Sequence, residues 1–222
     1  TGFVAQVEVT QSYINNHTQP IEATYIFPLP ENSAVNRMRI VIGDRIIEAN
    51  IRKRQEARQA YARAKQNGQT AALLEQERPN IFTQSVANIE PGKSIDVVIR
   101  YAQHLSYYSG EVEFVFPMVV GTRFDANGES VSEESSLARV NPPVLGHGVR
   151  SGHDISIEVQ VQAGSPIKKW HAPTHDVVES KSTKGSLELK LASYDTIPNR
   201  DFVLKYQVAG RKTQASLMTH KD

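Results

Sequence analysis

Two histidines three residues apart are the first candidates for chemistry, in His171-Ala172-Pro173-Thr174-His175. That spacing binds zinc when both imidazoles share a helical face. His147, His153 and Asp154 are the neighbours a three-ligand site would draw on. Pro173 sits between the pair and opposes a helix, so these histidines read as solvated or locally bonded loop residues. Asp125, Asn127 and Glu129 alternate oxygen ligands as a calcium loop begins, yet Gly128 comes too early and no glutamate closes the loop. They read as a solvated acidic loop. Glu133-Glu134 belongs to the same polar run, where burial could not tune a proton affinity. Gly-x-Ser-x-Gly, Gly-x-Gly-x-x-Gly and Walker-type loops are all missing from the sequence. The expectation is no metal, no cofactor and no enzyme.

The remaining candidate is basic. Arg52, Lys53, Arg54, Arg58, Arg63 and Lys65 are offset only by Glu56, and such a cluster could contact phosphates or sulfated glycans. The whole chain has a formal net charge of +1, so it carries no global field for nucleic acid or membrane, and any basic site is local. Tyr61 is the one aromatic nearby, too little for a stacking platform. Lysine and arginine also favour helices intrinsically. A solvated face explains them without a ligand.

These cations need an element to position them, and the periodicity predicts a helix over about residues 52–66. Ala57, Ala60, Tyr61 and Ala64 fall on one face, and Asn67-Gly68 supplies the stop. The alanine face is thin, so the helix must lie close against something flat, which in this chain is a sheet. Glu75 and Gln76, beyond the helix, are expected to satisfy loop amides.

Almost everything else alternates as strands do. Phe3, Ala5, Val7 and Val9 form one apolar set, then Ile21, Ala23, Tyr25 and Phe27, closed by Pro28-Leu29-Pro30. Met38, Ile40 and Ile42 lead through Gly43-Asp44 into Ile47, Ala49 and Ile51, a tight-hairpin pattern. After the helix, Arg78-Pro79-Asn80 is a break and residues 81–89 read as a strand. Glu90-Pro91-Gly92-Lys93 has the composition of a type II turn. Ile95, Val97, Ile99 and Tyr101 follow, then Val112, Phe114 and Phe116. Short links imply antiparallel pairing.

From about residue 125 to 154 a polar connection intervenes. Strands resume at Ile155, Ile157, Val159 and Val161, at Leu187, Leu189 and Leu191, at Phe202, Leu204, Tyr206 and Val208, and at Ala215 and Leu217. This half reads as a second all-β unit. Trp170, the single tryptophan, is assigned to core packing, with a surface anchor as the other option. The expected division is residues 1–124, 125–154 and 155–222.

At 222 residues, 39% hydrophobic and without cysteine, the chain suits one large or two small globular units. It excludes disulfides and thiolate chemistry but leaves the compartment open. No apolar run approaches the roughly 20 residues of a membrane span. The sequence opens directly on a strand, as an excised fragment would, so targeting signals are uninformative.

Several blocks, in order and spacing, resemble the vault protein/inter-alpha-trypsin (VIT) domain. They are 23–30 (Ala-Thr-Tyr-Ile-Phe-Pro-Leu-Pro), the helix face Ala57, Tyr61 and Ala64, then Gly68, residues 72–76 (Ala-Leu-Leu-Glu-Gln), 80–83 (Asn-Ile-Phe-Thr) and 88–92 (Asn-Ile-Glu-Pro-Gly). The resemblance covers about Phe3 to Phe124. The helix is more basic than the family pattern, and Ala87 stands where glycine is common. The second half, with residues 197–202 and the ending Leu217-Met218-Thr219-His220, is similar to the segment that joins a VIT domain to a von Willebrand factor A (VWA) domain. No Asp-x-Ser-x-Ser metal motif of a VWA domain occurs.

The resemblance implies an antiparallel β-sandwich with one packed helix, followed by a second all-β antiparallel unit. It implies a non-enzymatic protein–protein interaction module, like inter-alpha-trypsin inhibitor heavy chains, that supports and orients an adjacent VWA adhesion domain in a secreted or cell-surface protein. Other proteins or extracellular matrix are further expected partners. The alternative is a polyanion-binding module acting through Arg52, Lys53, Arg54, Arg58, Arg63 and Lys65.

Overall fold

Alternation between apolar and polar residues becomes alternation between inside and outside. The computed structural model describes residues 3–78, 80–118 and 152–208. β1 (Val4–Ile14), β2 (Ile21–Pro28), β3 (Ser33–Ile42) and β4 (Arg45–Glu48) precede helix α1 (Arg54–Gln66). β5 (Ala71–Arg78), β6 (Ile81–Ile89) and β7 (Ser94–His104) follow it. The described part of 6–102 clusters as one compact unit; 3–5, 103–118 and 152–208 cluster as a second.

The first unit is built on two sheets, one ordered β1-β7-β3-β4 and the other β2-β6-β5. Every second residue of β1 is half-buried, and in β7 Ile95, Val97, Ile99 and Tyr101 are buried. Met38 and Ile40 of β3, Phe27 of β2 and Val86 and Ile89 of β6 complete the core. The β3–β4 hairpin turns on Gly43-Asp44, as the sequence predicts, with Ile42 opposite Arg45. Gly92 adopts a φ of 68° in the turn before β7, the left-handed value the proline–glycine pair implies.

β5 is the departure from expectation. Ala71-Ala72-Leu73-Leu74-Glu75-Gln76 is a run of good helix formers, and the sequence offers no period-2 pattern for it. It is nevertheless a strand, paired antiparallel with β6 from Ala71 opposite Ala87 to Arg78 opposite Ile81. Pairing with the adjacent strand overrides local propensity. Glu75 and Gln76 therefore lie on a sheet, not in a loop.

The second unit contains β8 (Ser106–Tyr108), β9 (Glu111–Phe116), β10 (Glu158–Gln162), β11 (Lys169–His171), β12 (Val177–Ser182), β13 (Ser186–Leu191) and β14 (Phe202–Gln207). One sheet is ordered β11-β14-β9-β8 and the other β10-β13-β12. β9 and β14 pair antiparallel, Phe116 opposite Phe202 through Glu111 opposite Gln207, so strands from either side of the long connection share a sheet. Val112, Leu187, Leu189, Phe202 and Leu204 are almost wholly buried. Trp170 joins the two sheets: it stands on β11, half-buried, and its Nε1 donates to Glu179 of β12 at 3.0 Å. The fold is mainly β and antiparallel, a sandwich with one helix followed by a second all-β unit. The strand expected at 215–217 lies outside the described residues.

Candidate functional site

Helix α1 begins at Arg54, with Lys53 at its N-cap making no side-chain cap bond. Arg52 and Lys53 thus precede the helix. Ala57, Ala60, Tyr61 and Ala64 are half-buried and every other helical residue is exposed. The face read from the spacing is the face that packs. At its end Gly68 takes a φ of 70°, and Gln69 N–H returns to the Ala64 carbonyl at 2.9 Å.

The helix lies against the β2-β6-β5 sheet, and the contacts show what its charges do. Arg58 Nε donates to the Glu75 carboxylate of β5 at 2.7 Å, and Arg54 approaches the same carboxylate at 3.8 Å. Arg54 also donates to the Gln76 carbonyl. Tyr61 donates its hydroxyl to Glu22 of β2 at 2.6 Å, and Lys65 Nζ donates to the other oxygen of Glu22 at 2.6 Å. Of the predicted cations, Arg54, Arg58 and Lys65 are thus tied to the sheet edges. Arg63 donates to the Gln59 carbonyl of its own helix at 3.3 Å. Arg52 and Lys53 are exposed on the approach to the helix, so the six cations do not form one outward array.

Electrostatics follow the geometry. The hydrogen bonds from Lys65 and then Tyr61 hold the Glu22 carboxyl below its usual range. Burial, with Glu22 adding to it, pushes the Tyr61 phenol upward. The Glu75 hydrogen bond raises the Arg58 guanidinium. Each of these shifts, for Glu22, Tyr61 and Arg58, runs away from neutrality, which suits fixed anchors.

Asparagines fasten the surroundings. Asn88, at a φ of 54°, donates through Nδ2 to the carbonyls of Lys65 and Gln69, each at 2.9 Å, closing the helix C-terminus onto β6. This is the orphan-carbonyl end of a helix that needs donors. Asn15, fully buried, donates to the Gln19 and Ile89 carbonyls at 2.8 and 2.7 Å and accepts the His17 N–H. Asn80, at a φ of 73°, donates to Glu31. Ala87 is fully buried opposite Ala71, beside the irregularity where β6 carries one residue more than β2, and the positive φ falls on Asn88, so Ala87 does not require glycine.

The metal candidates do not assemble: among the described residues no group of three or more His, Asp or Glu could hold an ion. His171 is exposed on β11. His153 and Asp154 are exposed, and Asp154 accepts from the Thr196 hydroxyl at 3.0 Å. His147, Asp125, Asn127, Glu129 and Glu133-Glu134 lie outside the described residues. Of the two expectations for His175, solvated or locally bonded, the structure shows the second: it is 4% exposed, not solvated, and packs on Phe202 at 5.7 Å between ring centres. Thr174 contacts its Nδ1 at 3.1 Å, while its Nε2 is buried without a partner among the described residues. Burial lowers its pKa. No sequence signal marks His175 as buried or Glu75 as the arginine acceptor, whereas Glu22 could be placed on the outer face of β2 by alternation.

Residues 1–101 match the vault protein inter-alpha-trypsin domain family. They form a VIT domain. The match ends within one residue of the compact unit's limit at Ala102, short of the Phe124 limit of the resemblance. Blocks shared with the family now have physical roles: Tyr61 and Ala64 are helix packing, and Asn88 is the helix latch. The chain is 41% identical over 183 residues to the protein mono-ADP-ribosyltransferase PARP4 of Mus musculus, covering 82% of this chain and 9% of that protein. It is 32% identical over 146 residues to the von Willebrand factor A domain-containing protein 5A of Homo sapiens, covering 64% and 18%. It is 23% identical over 207 residues to the human inter-alpha-trypsin inhibitor heavy chain H6, covering 87% and 16%. The VIT-bearing chain thus spans less than a fifth of each of these relatives. Among the described residues no helix is long and apolar enough to cross a membrane.

Proposed function

We propose that this chain is a non-enzymatic interaction module whose VIT domain supports and orients an adjacent VWA domain within a longer protein, in a secreted or cell-surface setting. The observation that carries the reading is the VIT match together with similarity, extending past it, to a protein named for its VWA domain. The helix supports it from the structural side. Its alanine–tyrosine face packs on the sheet, with Arg54, Arg58 and Lys65 as minor anchors at the rim, and such a unit is suited to holding a neighbour in place.

The test compares the VWA domain alone with the same domain joined to residues 1–222. The attached domain should melt at a higher temperature and show protected amides on a defined patch of the VIT domain. Identical melting and unprotected VIT amides would sink the orienting role. The polyanion reading predicts salt-dependent retention on heparin that falls when Arg52, Lys53, Arg54, Arg58, Arg63 and Lys65 are changed to Gln. With Arg54, Arg58 and Lys65 engaged by Glu75 and Glu22, we expect retention to be weak.

A further inference from the structure

β4 closes one edge of the β1-β7-β3-β4 sheet. Its register with β3 is regular from Ile42 opposite Arg45 to Arg39 opposite Glu48, and Ala49 N–H donates to the Met38 carbonyl at 3.0 Å. Antiparallel alternation then turns the backbone groups of Arg45, Ile47 and Ala49 toward β3 and those of Ile46 and Glu48 away from the sheet. Such a row of free donors and acceptors templates another strand unless it is blunted. The edge strands β2, β5 and β12 are interrupted by register shifts at Ile21/Ala23, Gln76/Arg78 and Glu179/Lys181. Just before β8, the Leu105 N–H is already taken by the Phe3 carbonyl. β4, four residues long, has neither a register shift nor such a bond.

Its side chains say what would sit there. Ile46 is 57% exposed and Ile51 94% exposed. Arg45, Arg52 and Lys53 flank them, exposed and without an ion pair among the described residues. The local acid Glu48 is already engaged by Arg37, which holds its carboxyl low. Asp44 leaves a net positive edge with two apolar projections. Ile46 and Arg52 fall on one face of an extended backbone and Arg45, Ile51 and Lys53 on the other, so the complementary partner is extended and carries acidic and apolar residues on both faces.

We propose that β4, with the 49–53 segment after it, accepts an acidic, apolar segment of another protein as an added strand. Backbone bonds would form at Ile46 and Glu48, apolar side chains would meet Ile46 and Ile51, and carboxylates would meet Arg45, Arg52 and Lys53. This goes beyond orienting a VWA domain and does not depend on it.

The test titrates a capped peptide of Glu-Glu-Val-Val repeats, which puts both residue types on both faces of a strand, into the full chain, with a Lys-Lys-Val-Val peptide alongside. Binding should saturate, and the amide signals of Ile46 and Glu48 should shift. Ile46→Pro removes an outward N–H while leaving the β3 ladder intact, as edge strands tolerate, and should weaken binding about tenfold. The Arg52→Glu, Lys53→Glu pair, at exposed positions, should weaken the acidic peptide and strengthen the basic one, which keeps the proposal testable if Ile46→Pro does not fold. Equal binding of both peptides, unchanged affinity in folded Ile46→Pro, or displacement by heparin without amide shifts at Ile46 and Glu48 would each overturn it.

Discussion

The helix contact of the VIT domain and the His175 pocket of the second unit use similar ingredients to opposite effect. On the helix, Tyr61, Lys65 and Glu22 meet at a rim where the Lys65 side chain is 47% and that of Glu22 35% exposed. Around His175, the imidazole itself goes inside against Phe202, while the exposed Arg200 pairs at 2.9 Å with an Asp195 side chain that is only 10% exposed. The Asp195 carboxylate also accepts the Asp176 N–H, and Thr174 accepts the Val203 N–H, so the loop is held from several sides. Charges left at a rim are screened by water and contribute little; polar groups taken inside cost free energy unless bonded. The helix is therefore held chiefly by its small apolar face, and the pocket by its aromatic packing.

The largest expected effect lies in the pocket. Phe202, 1% exposed and in contact with both His175 and Phe114, should cost about 3–5 kcal/mol when changed to Ala, read by denaturant unfolding. A loss comparable to a surface substitution would show that the pocket is not a core. Next comes the helix face: Ala60→Glu should cost about 1–3 kcal/mol by forcing a charge into the helix–sheet contact, with the melting temperature falling accordingly.

Acid sharpens the contrast further. An unfolded histidine titrates at about 6.5, and burial lowers the folded value of His175, with Arg200 acting in the same direction and Asp195 and Asp176 opposing. Between the two pKa values the unfolded chain binds more protons, so stability is full above about 6.5 and falls as pH drops toward the folded value. His175→Leu should flatten this part of the melting-temperature profile relative to the parent; parallel profiles would refute the assignment. The smallest effect is expected at Arg58→Gln. Its pair with Glu75 is exposed on the arginine side, and removing it should cost less than about 1 kcal/mol, shrinking further in high salt.

The same contrast marks how far the sequence could be read. The helix face was legible because Ala57, Ala60, Tyr61 and Ala64 carry a period that no tertiary partner needs to reveal. Most of the longer strands announced themselves by alternation, and the Gly43-Asp44 hairpin by its turn chemistry, whereas β8, β11 and β12 carry no such pattern. β5 did not announce itself either, because its alanines, leucines and glutamates favour a helix and only β6 makes them a strand. The β9–β14 pairing was invisible for another reason: it is set by contacts far apart in the chain, with no local trace. As for the site, the cations were found but their use was not, since Glu22 and Glu75 are distant in sequence. Burial of His175 depends on Phe202, which nothing near residue 175 foretells.

Helix α1 covers the β2-β6-β5 sheet through its alanine–tyrosine face, with Arg54, Arg58 and Lys65 as minor anchors. Thermal melting of Ala64→Glu beside the double variant Arg58→Gln, Lys65→Gln tests it most directly. The account predicts that Ala64→Glu lowers the melting temperature clearly more than the two neutralised cations together. Equal losses, or a larger loss from the cation variant, would contradict it.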